Sequence, residues 1–232
     1  MKSTEAVVFD LEGTLFNSPQ LSKKHLEAIM HLIAAKRSVS YSEAEKLFSS
    51  VRCDLSIRLG YEPPMVTTAE ALEINRIEFF QCIESIDPSQ FIHPDHGRKG
   101  TLLQLRQLCK VGLLTNVSRK TVIAILHALG LDLSEFDAIV SGDEVLENKP
   151  ALNPFLKLVA TLHVQPNRVV MVGDRIAIDL IPAKRLGMAT ILVDKSNNLS
   201  PFADIVVNDV TEVYSAIFRI EVLSGGCQID NY

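Results

Sequence analysis

Residues 6–15 read Ala6-Val7-Val8-Phe9-Asp10-Leu11-Glu12-Gly13-Thr14-Leu15, and the rest of the chain is organised around them. Its first four residues are apolar and mostly β-branched or aromatic, which predicts a short strand buried on both faces of a parallel sheet. The strand ends at Asp10, and sheets of this kind bind ligands at the carboxyl ends of their strands. Glu12 adds a second acid, and Gly13 allows the backbone to approach a ligand closely. The stretch predicts an active site, although a strand followed by a solvated acidic turn would show the same residues.

The composition limits the classes of function. The chain has 232 residues, 47% hydrophobic and 22% charged, which suits one large domain or a domain with an insertion. No apolar run approaches the roughly 20 residues that cross a bilayer, and the N-terminus lacks a secretory signal pattern, so we expect a cytoplasmic protein without a membrane partner. A net charge of −5 without a long basic run argues against nucleic acid. The cysteines lack Cys-x-x-Cys spacing and are predicted to be reduced thiols: Cys53, Cys82, Cys109 and Cys227.

Helical patterns dominate the residues after the first strand, and three helices are predicted there. The second begins with a capping box in which Ser40 is followed three residues later by Glu43. The third is predicted to begin near Thr67, with Glu70 as its box partner, and to continue unbroken to about residue 83. No strand pattern interrupts them. We therefore predict an inserted α-helical domain at residues 17–90.

From about Gly97 onward, helical and strand patterns alternate, which is typical of βαβ units and a parallel sheet. Strands are predicted at the apolar runs 111–114, 137–140, 168–172, 190–193 and 204–207. Together with the first strand they predict an α/β fold, a doubly wound parallel-sheet core of the Rossmann-like kind. This core would comprise residues 1–16 and 91–232.

Polar side chains follow three of the predicted strands at the point where each strand ends. They are Asp10, Thr115 and Asp174, and Asn116 follows Thr115 directly. Because the carboxyl ends of parallel strands share one edge of a sheet, we expect these groups to lie close together. Lys149 can reach the same edge from the loop after another strand. Two carboxylates, a hydroxyl with an amide, and an ammonium group would suit a divalent cation and a phosphate.

These groups occur in motifs that resemble those of the haloacid dehalogenase-like (HAD) hydrolase superfamily. The motifs are Asp10-x-Glu12-Gly13-Thr14, Thr115-Asn116, Lys149-Pro150, and Gly173-Asp174 with Asp179 five residues later. The match extends from Val7 to Val193, and four motifs in the right order are more specific than any one of them. The resemblance implies the phosphatase branch, with the helical insertion as a cap between the first and second motifs.

The resemblance also implies roles for the motif residues. Asp10 would be the nucleophile that forms an aspartyl-phosphate, and Glu12 the general acid and base. Mg²⁺ would be held by Asp10, the backbone carbonyl of Glu12 and Asp174, while Asp179 would orient the neighbouring ligands. A carboxylate that attacks a phosphate anion needs cations beside it, and Lys149 with Mg²⁺ would supply them.

The phosphate would be bound, by the same resemblance, by Thr115, the backbone amide of Asn116 and Lys149. Glu12 departs from the family pattern, since most phosphatases of the superfamily have Asp there. Glu keeps a carboxylate with a similar intrinsic pKa but adds one methylene, so its reach differs. An Asp-x-Glu-Gly-Thr motif also resembles the enolase-phosphatase branch, although Gly173-Asp174-Arg175 is closer to the ordinary phosphatases. Dehalogenases lack an acid at this position, which favours phosphate chemistry.

Three functions therefore stay open at this point. The first is a Mg²⁺-dependent phosphatase that acts on a small phosphorylated metabolite. The second is a phosphomutase of the same fold, and the third is a non-catalytic or signalling phospho-acceptor protein with a decayed acid/base position. The sequence allows a monomer or a homodimer. Lys23, Lys24 and His25 could contact a polar substrate, but a solvated helix face is the favoured interpretation. The sequence does not specify the substrate.

Overall fold

The computed structural model describes residues 4–196 and 199–225. Its strands are β1 (Ala6–Phe9), β2 (Lys110–Leu114), β3 (Ala138–Val140), β4 (Val169–Gly173), β5 (Ala189–Val193) and β6 (Ile205–Val207). Its α-helices are α1 (Pro19–Arg37), α2 (Tyr41–Leu59), α3 (Met65–Ala71), α4 (Arg76–Glu84), α5 (His96–Arg106), α6 (Arg119–Ala128), α7 (Leu152–Leu162), α8 (Ile181–Arg185) and α9 (Val213–Gly225). Within these described ranges, no helix is both long and apolar enough to cross a membrane.

The six strands form one sheet in the order β3-β2-β1-β4-β5-β6, and all neighbouring pairs are parallel. The strand order reverses direction between β1 and β4, which is the topological switch point of a doubly wound fold. Phe9, the last residue of β1, pairs with Leu113 of β2 and Val172 of β4. The predicted α/β fold class is confirmed, and the residues that follow these three strands lie side by side.

Both faces of β1 are buried, as its apolar run predicted. Val7 and Phe9 belong to a core shared with α5, α6 and α9, whereas Ala6 and Val8 belong to a second core shared with α7 and α8. Successive side chains of a strand point to opposite faces, so an uninterrupted apolar run is needed when helices cover both. This burial holds β1 at the centre of the sheet and fixes the position of the residue that follows it.

Between β1 and β2, residues 17–95 of the described chain contain helices and turns without a strand. Helices α1 to α4 share a hydrophobic core of their own, which includes Ile29, Phe48, Val66 and Phe80. The predicted capping box at the start of α2 is confirmed, since the Ser40 hydroxyl accepts from the Glu43 amide and the Glu43 carboxylate accepts from the Ser40 amide.

The prediction of a single, continuous third helix is wrong, because the structure has two helices, α3 and α4, in its place. Thr67 lies inside α3, so the predicted capping box with Glu70 is also wrong. Glu73 adopts a left-handed conformation with φ of 59°, which cannot continue an α-helix. The Asn75 side chain then accepts a hydrogen bond of 2.8 Å from the Ile77 amide and starts α4.

The cysteines agree with the predicted reduced state as far as they are described. Cys53, Cys82 and Cys109 form no disulfide. Cys227 lies outside the described residues.

Candidate active site

The centre of the site is the end of β1. Asp10 follows this strand directly, its amide donates to the Val172 carbonyl at 2.9 Å, and only 7% of the residue is exposed. Thr115 follows β2 on one side and is also buried, while Asp174 follows β4 on the other. The three groups expected at one sheet edge are brought there because β2, β1 and β4 are adjacent parallel strands.

A cluster of three carboxylates lies at this edge. Asp10, Asp174 and Asp179 each offer an oxygen atom within 4.8 Å of the other two. Burial and the nearby charge of Asp10 together raise the pKa of Asp174 to about 7. Burial also raises the pKa of Asp179 to about 6, although the Lys149 ammonium opposes this change. Carboxylate oxygens are the donors that hard divalent cations such as Mg²⁺ prefer, so the residues present fit that ion.

Lys149 is the cation of the cluster. Its Nζ atom lies 2.7 Å from Asp10 Oδ1 and 2.6 Å from Asp179 Oδ1, and only 2% of its side chain is exposed. Burial lowers the pKa of Lys149, but Asp10 and Asp179 more than compensate, so the pKa rises above its ordinary value. The ammonium group therefore keeps its charge and is held between two carboxylates.

The Asn116 side chain positions the backbone of Lys149. Its Oδ1 accepts from the Lys149 amide at 2.9 Å, and its Nδ2 donates to the Lys149 carbonyl at 3.1 Å. These two hydrogen bonds join the end of β2 to the lysine loop. They leave the backbone amide of Asn116, rather than its side chain, as the group for the predicted phosphate contact.

Gly13 is required by the close approach of Asp174. Its φ is +89°, a value that residues with a side chain rarely adopt. A Cβ atom at this position would lie 2.2 Å from Asp174 Oδ2, well inside contact distance. The neighbouring Thr14 hydroxyl donates to Asp174 Oδ1 at 3.3 Å. The turn after β1 thus shapes the site through space and hydrogen bonding as well as through its acids.

Glu12 projects into a cavity above the carboxylate cluster, with 31% of its side chain exposed. Burial, together with the charges of Asp10 and Asp174, raises the pKa of Glu12 to about 7. Near neutral pH the group therefore exists in both protonation states, as a general acid and base requires. Glu12, which stands where most phosphatases of the superfamily have Asp, is therefore chemically suited to the acid and base role that the motif implies.

His25 lies beside Glu12 and contradicts the predicted solvated face. Its Nδ1 atom is 3.7 Å from Glu12 Oε1, and only 2% of its side chain is exposed. Burial lowers the pKa of His25 to about 4, so the ring is neutral at pH 7. The four-residue spacing of Leu21, His25 and Ile29 on α1 could have shown that His25 shares their buried face. Lys23 and Lys24 are exposed, as predicted.

The cavity has a volume of about 470 Å³ and lies between the sheet edge and helices α1 to α4. Its lining includes five predicted site residues: Asp10, Glu12, Thr115, Asn116 and Lys149. The helical insertion contributes apolar side chains and cations: Leu26, Met65, Val66, Phe79, Phe80, Ile83, Lys23 and Arg52. The volume is typical of pockets that hold small-molecule ligands.

Arg76 at the start of α4 connects the helical insertion to the loop before Lys149. Its guanidinium donates to the Gly142 carbonyl at 2.6 Å, to the Leu146 carbonyl at 3.3 Å and to the Asn148 side chain. The sequence analysis missed this residue. No local sequence motif could have indicated these hydrogen bonds of Arg76, because all three partners lie more than 65 positions further along the chain.

The structure therefore brings the predicted residues together at one edge, with one difference. That difference is a direct contact: the Asp179 carboxylate lies within the cluster and accepts a hydrogen bond from Lys149, which the sequence analysis did not predict. Its role in orienting the neighbouring ligands stays a prediction. Gly173 makes this possible, since a Cβ atom there would lie 2.5 Å from the Asp179 Cβ.

The fold and the site define an α/β enzyme in which a buried carboxylate and lysine cluster faces a cavity beneath a helical insertion. The chain belongs to the haloacid dehalogenase-like hydrolase family, whose model matches residues 7–193. It is 30% identical to phosphoglycolate phosphatase of Chromobacterium violaceum, over 92% of this chain and 96% of that protein. It is 27% identical to N-acylneuraminate-9-phosphatase of Rattus norvegicus, over 95% of this chain and 96% of that protein.

A solved structure of a phosphatase from the same superfamily is also similar to this chain. The HAD phosphatase from Thermococcus onnurineus is 25% identical, with a TM-score of 0.68 over 92% of this chain and 97% of that chain. These similarities confirm the predicted superfamily and its phosphatase class. The chain is an enzyme of this class, a phosphatase.

Proposed function

We propose that the protein is a Mg²⁺-dependent phosphomonoesterase that hydrolyses a small phosphorylated metabolite through an aspartyl-phosphate. The observation that carries this proposal is the Lys149 ammonium, which bonds Asp10 and Asp179 at the base of a ligand-sized cavity. A buried carboxylate nucleophile faces charge repulsion from a phosphate, and this arrangement supplies a fixed positive charge to offset it.

In the first step an Asp10 oxygen forms a bond to phosphorus as the bond to the ester oxygen breaks. Glu12 donates a proton to that departing oxygen, so the leaving group departs as an alcohol. In the second step Glu12 accepts a proton from water, whose oxygen attacks phosphorus. Phosphate is released and the Asp10 carboxylate is restored. The raised pKa of Glu12, about 7, supports both transfers near neutral pH.

The other site residues bind the phosphoryl group or orient the groups that bind it. Lys149, Thr115 and the backbone amide of Asn116 contact the phosphoryl oxygens, and Asp179 holds the Lys149 ammonium in place. Asp10, Asp174 and the backbone carbonyl of Glu12 would hold Mg²⁺, which when bound would neutralise charge on the phosphoryl group. Asp179 belongs to the same carboxylate cluster and would be an alternative or additional ligand.

Residues 17–90 would act as a cap over the cavity. Their helices supply its apolar lining, so a bound substrate would be shielded from bulk water. Arg76 is suited to couple cap position to the lysine loop, because its hydrogen bonds reach the loop from α4. A cytoplasmic location and a monomeric or homodimeric state remain predictions from the sequence.

The test is phosphate release from a panel of small phosphomonoesters with and without Mg²⁺, with Asp10→Asn as the matched control. We expect metal-dependent release that the substitution abolishes. Transfer of the phosphoryl group to a second hydroxyl of the substrate, followed by ³¹P NMR, would indicate a phosphomutase instead. A stable phosphoprotein without turnover would support a signalling role and contradict the proposal.

A further inference from the structure

Three cations line the cavity outside the carboxylate cluster. Lys23 of α1, Arg52 of α2 and Arg175 after β4 are called here the cavity cations. Two carboxylates outside that cluster, Glu12 and Glu62, also line the cavity. Arg52 Nη2 lies 2.7 Å from Glu62 Oε1, and the Arg175 guanidinium donates to the Glu62 carbonyl. In the described part of the chain, Lys23 has no carboxylate oxygen within ion-pair distance.

The three cavity cations outnumber Glu12 and Glu62, so a net positive charge is left even when both carboxylates are ionised. The phosphoryl end of the cavity has its own cation, Lys149, which is buried between Asp10 and Asp179. The cavity cations are therefore positive charges in addition to Lys149. Apolar walls lower the local dielectric and strengthen the attraction of an excess charge for a bound anion.

Arg52 is the best placed of the three to recognise such an anion. Its guanidinium lies over the Phe48 ring at 5.9 Å, and 27% of its side chain is exposed, so the group is supported yet accessible from the cavity. Glu62 holds one end of it. A planar guanidinium held in this way is pre-organised for a carboxylate or phosphate.

We propose that the substrate carries a second anionic group, a carboxylate or a phosphate, on its leaving-group side, and that Arg52 selects it with help from Lys23. This inference rests on the phosphatase function proposed above and narrows its substrate class. The cavity volume of about 470 Å³ leaves room for such a leaving group beyond the phosphoryl site.

The experiment compares kcat/KM within matched pairs of phosphomonoesters. Phosphoglycolate against 2-hydroxyethyl phosphate tests a carboxylate, and fructose 1,6-bisphosphate against fructose 6-phosphate tests a second phosphate. We expect the anionic member of at least one pair to be preferred by about ten- to a hundredfold, as a charge-assisted hydrogen bond would give. The pair that shows the preference identifies the anion.

Substitutions of Arg52 test whether this residue causes the preference for the anionic substrate. Arg52→Gln should reduce the anionic-to-neutral ratio by about tenfold or more, and Arg52→Lys should recover part of it. Arg58→Gln is the matched control, because Arg58 is exposed on the same helix and does not line the cavity. Its ratio should equal that of the wild type.

The experiment distinguishes failure of the second-anion inference from failure of the phosphatase proposal. Ratios near one in both pairs, with Asp10-dependent release intact, would overturn the second-anion inference and leave the phosphatase function standing. A preference that survives Arg52→Gln would overturn the assignment of the site. The absence of Asp10-dependent release from every ester would refute the phosphatase proposal and this inference with it.

Discussion

Lys149→Met is the substitution that tests the site most directly. It removes the ammonium group that bonds Asp10 and Asp179 and keeps a side chain of similar length. Removing one partner of a buried ion pair costs about 3–5 kcal/mol, because the other charge stays buried without compensation. With Lys149 2% exposed and Asp179 fully buried, we expect a loss in this range for the metal-free protein near neutral pH.

The assay is urea unfolding followed by circular dichroism in EDTA, with Lys24→Met as the control. Lys24 pairs with Glu27 at 2.8 Å but is 51% exposed, so its loss should cost about 0.5 kcal/mol or less. The penalty for Lys149→Met should shrink at lower pH. The carboxylates, whose pKa values burial already raises, can then be protonated instead of remaining charged without a partner.

A double-mutant cycle with Asp179→Asn separates the direct interaction from general damage to the core. The two substitutions together should cost less than the sum of their separate costs, since each removes a partner of the other. A loss below about 1 kcal/mol for Lys149→Met, or a loss no larger than that of Lys24→Met, would contradict the buried ion-pair reasoning.

Further predictions concern the metal, the turn and the cap. Burial raises the pKa values of Asp174 and Asp179, so their contribution to stability is full below about pH 3.8 and lost as pH rises through 6 and 7. In EDTA the unfolding free energy should therefore fall between about pH 4 and 7, and Mg²⁺ should restore it. A flat profile over this range would contradict the raised pKa values of the two carboxyl groups. Gly13→Ala should lower kcat by about 100-fold or more, because its Cβ displaces Asp174. Gly60→Ala is the control: Gly60 also has a positive φ, +75°, but an added Cβ atom would meet no atom within 4 Å, so this variant should lose stability without losing activity. Equal kinetics for the two variants would refute the predicted clash between a Cβ atom at Gly13 and Asp174. Arg76→Met should cost about 1–3 kcal/mol in urea unfolding and reduce kcat, whereas unchanged kinetics would exclude a link between the cap and the lysine loop.

Much of the fold could be predicted from local patterns. The apolar run of β1 predicted a doubly covered central strand because both faces of such a strand must be buried. The polar residues after β1, β2 and β4 predicted a shared site because parallel strands present their carboxyl ends at one edge. The break between α3 and α4 was missed, since the apolar spacing of α3 and α4 continues across residues that leave the helix.

The α/β class, the order of the motifs and the candidate residues follow from local sequence patterns, because periodicity, capping and turn chemistry act between near neighbours. Three contacts depend on the packing of distant elements: Asp179 with Lys149, the buried His25 with Glu12, and Arg76 of the helical insertion with the loop before Lys149. Lys149 and Asp10 are 139 positions apart in the chain yet share a hydrogen bond. Burial and charge proximity depend on distances in space, so the raised pKa values at this site follow from the packing of separate elements.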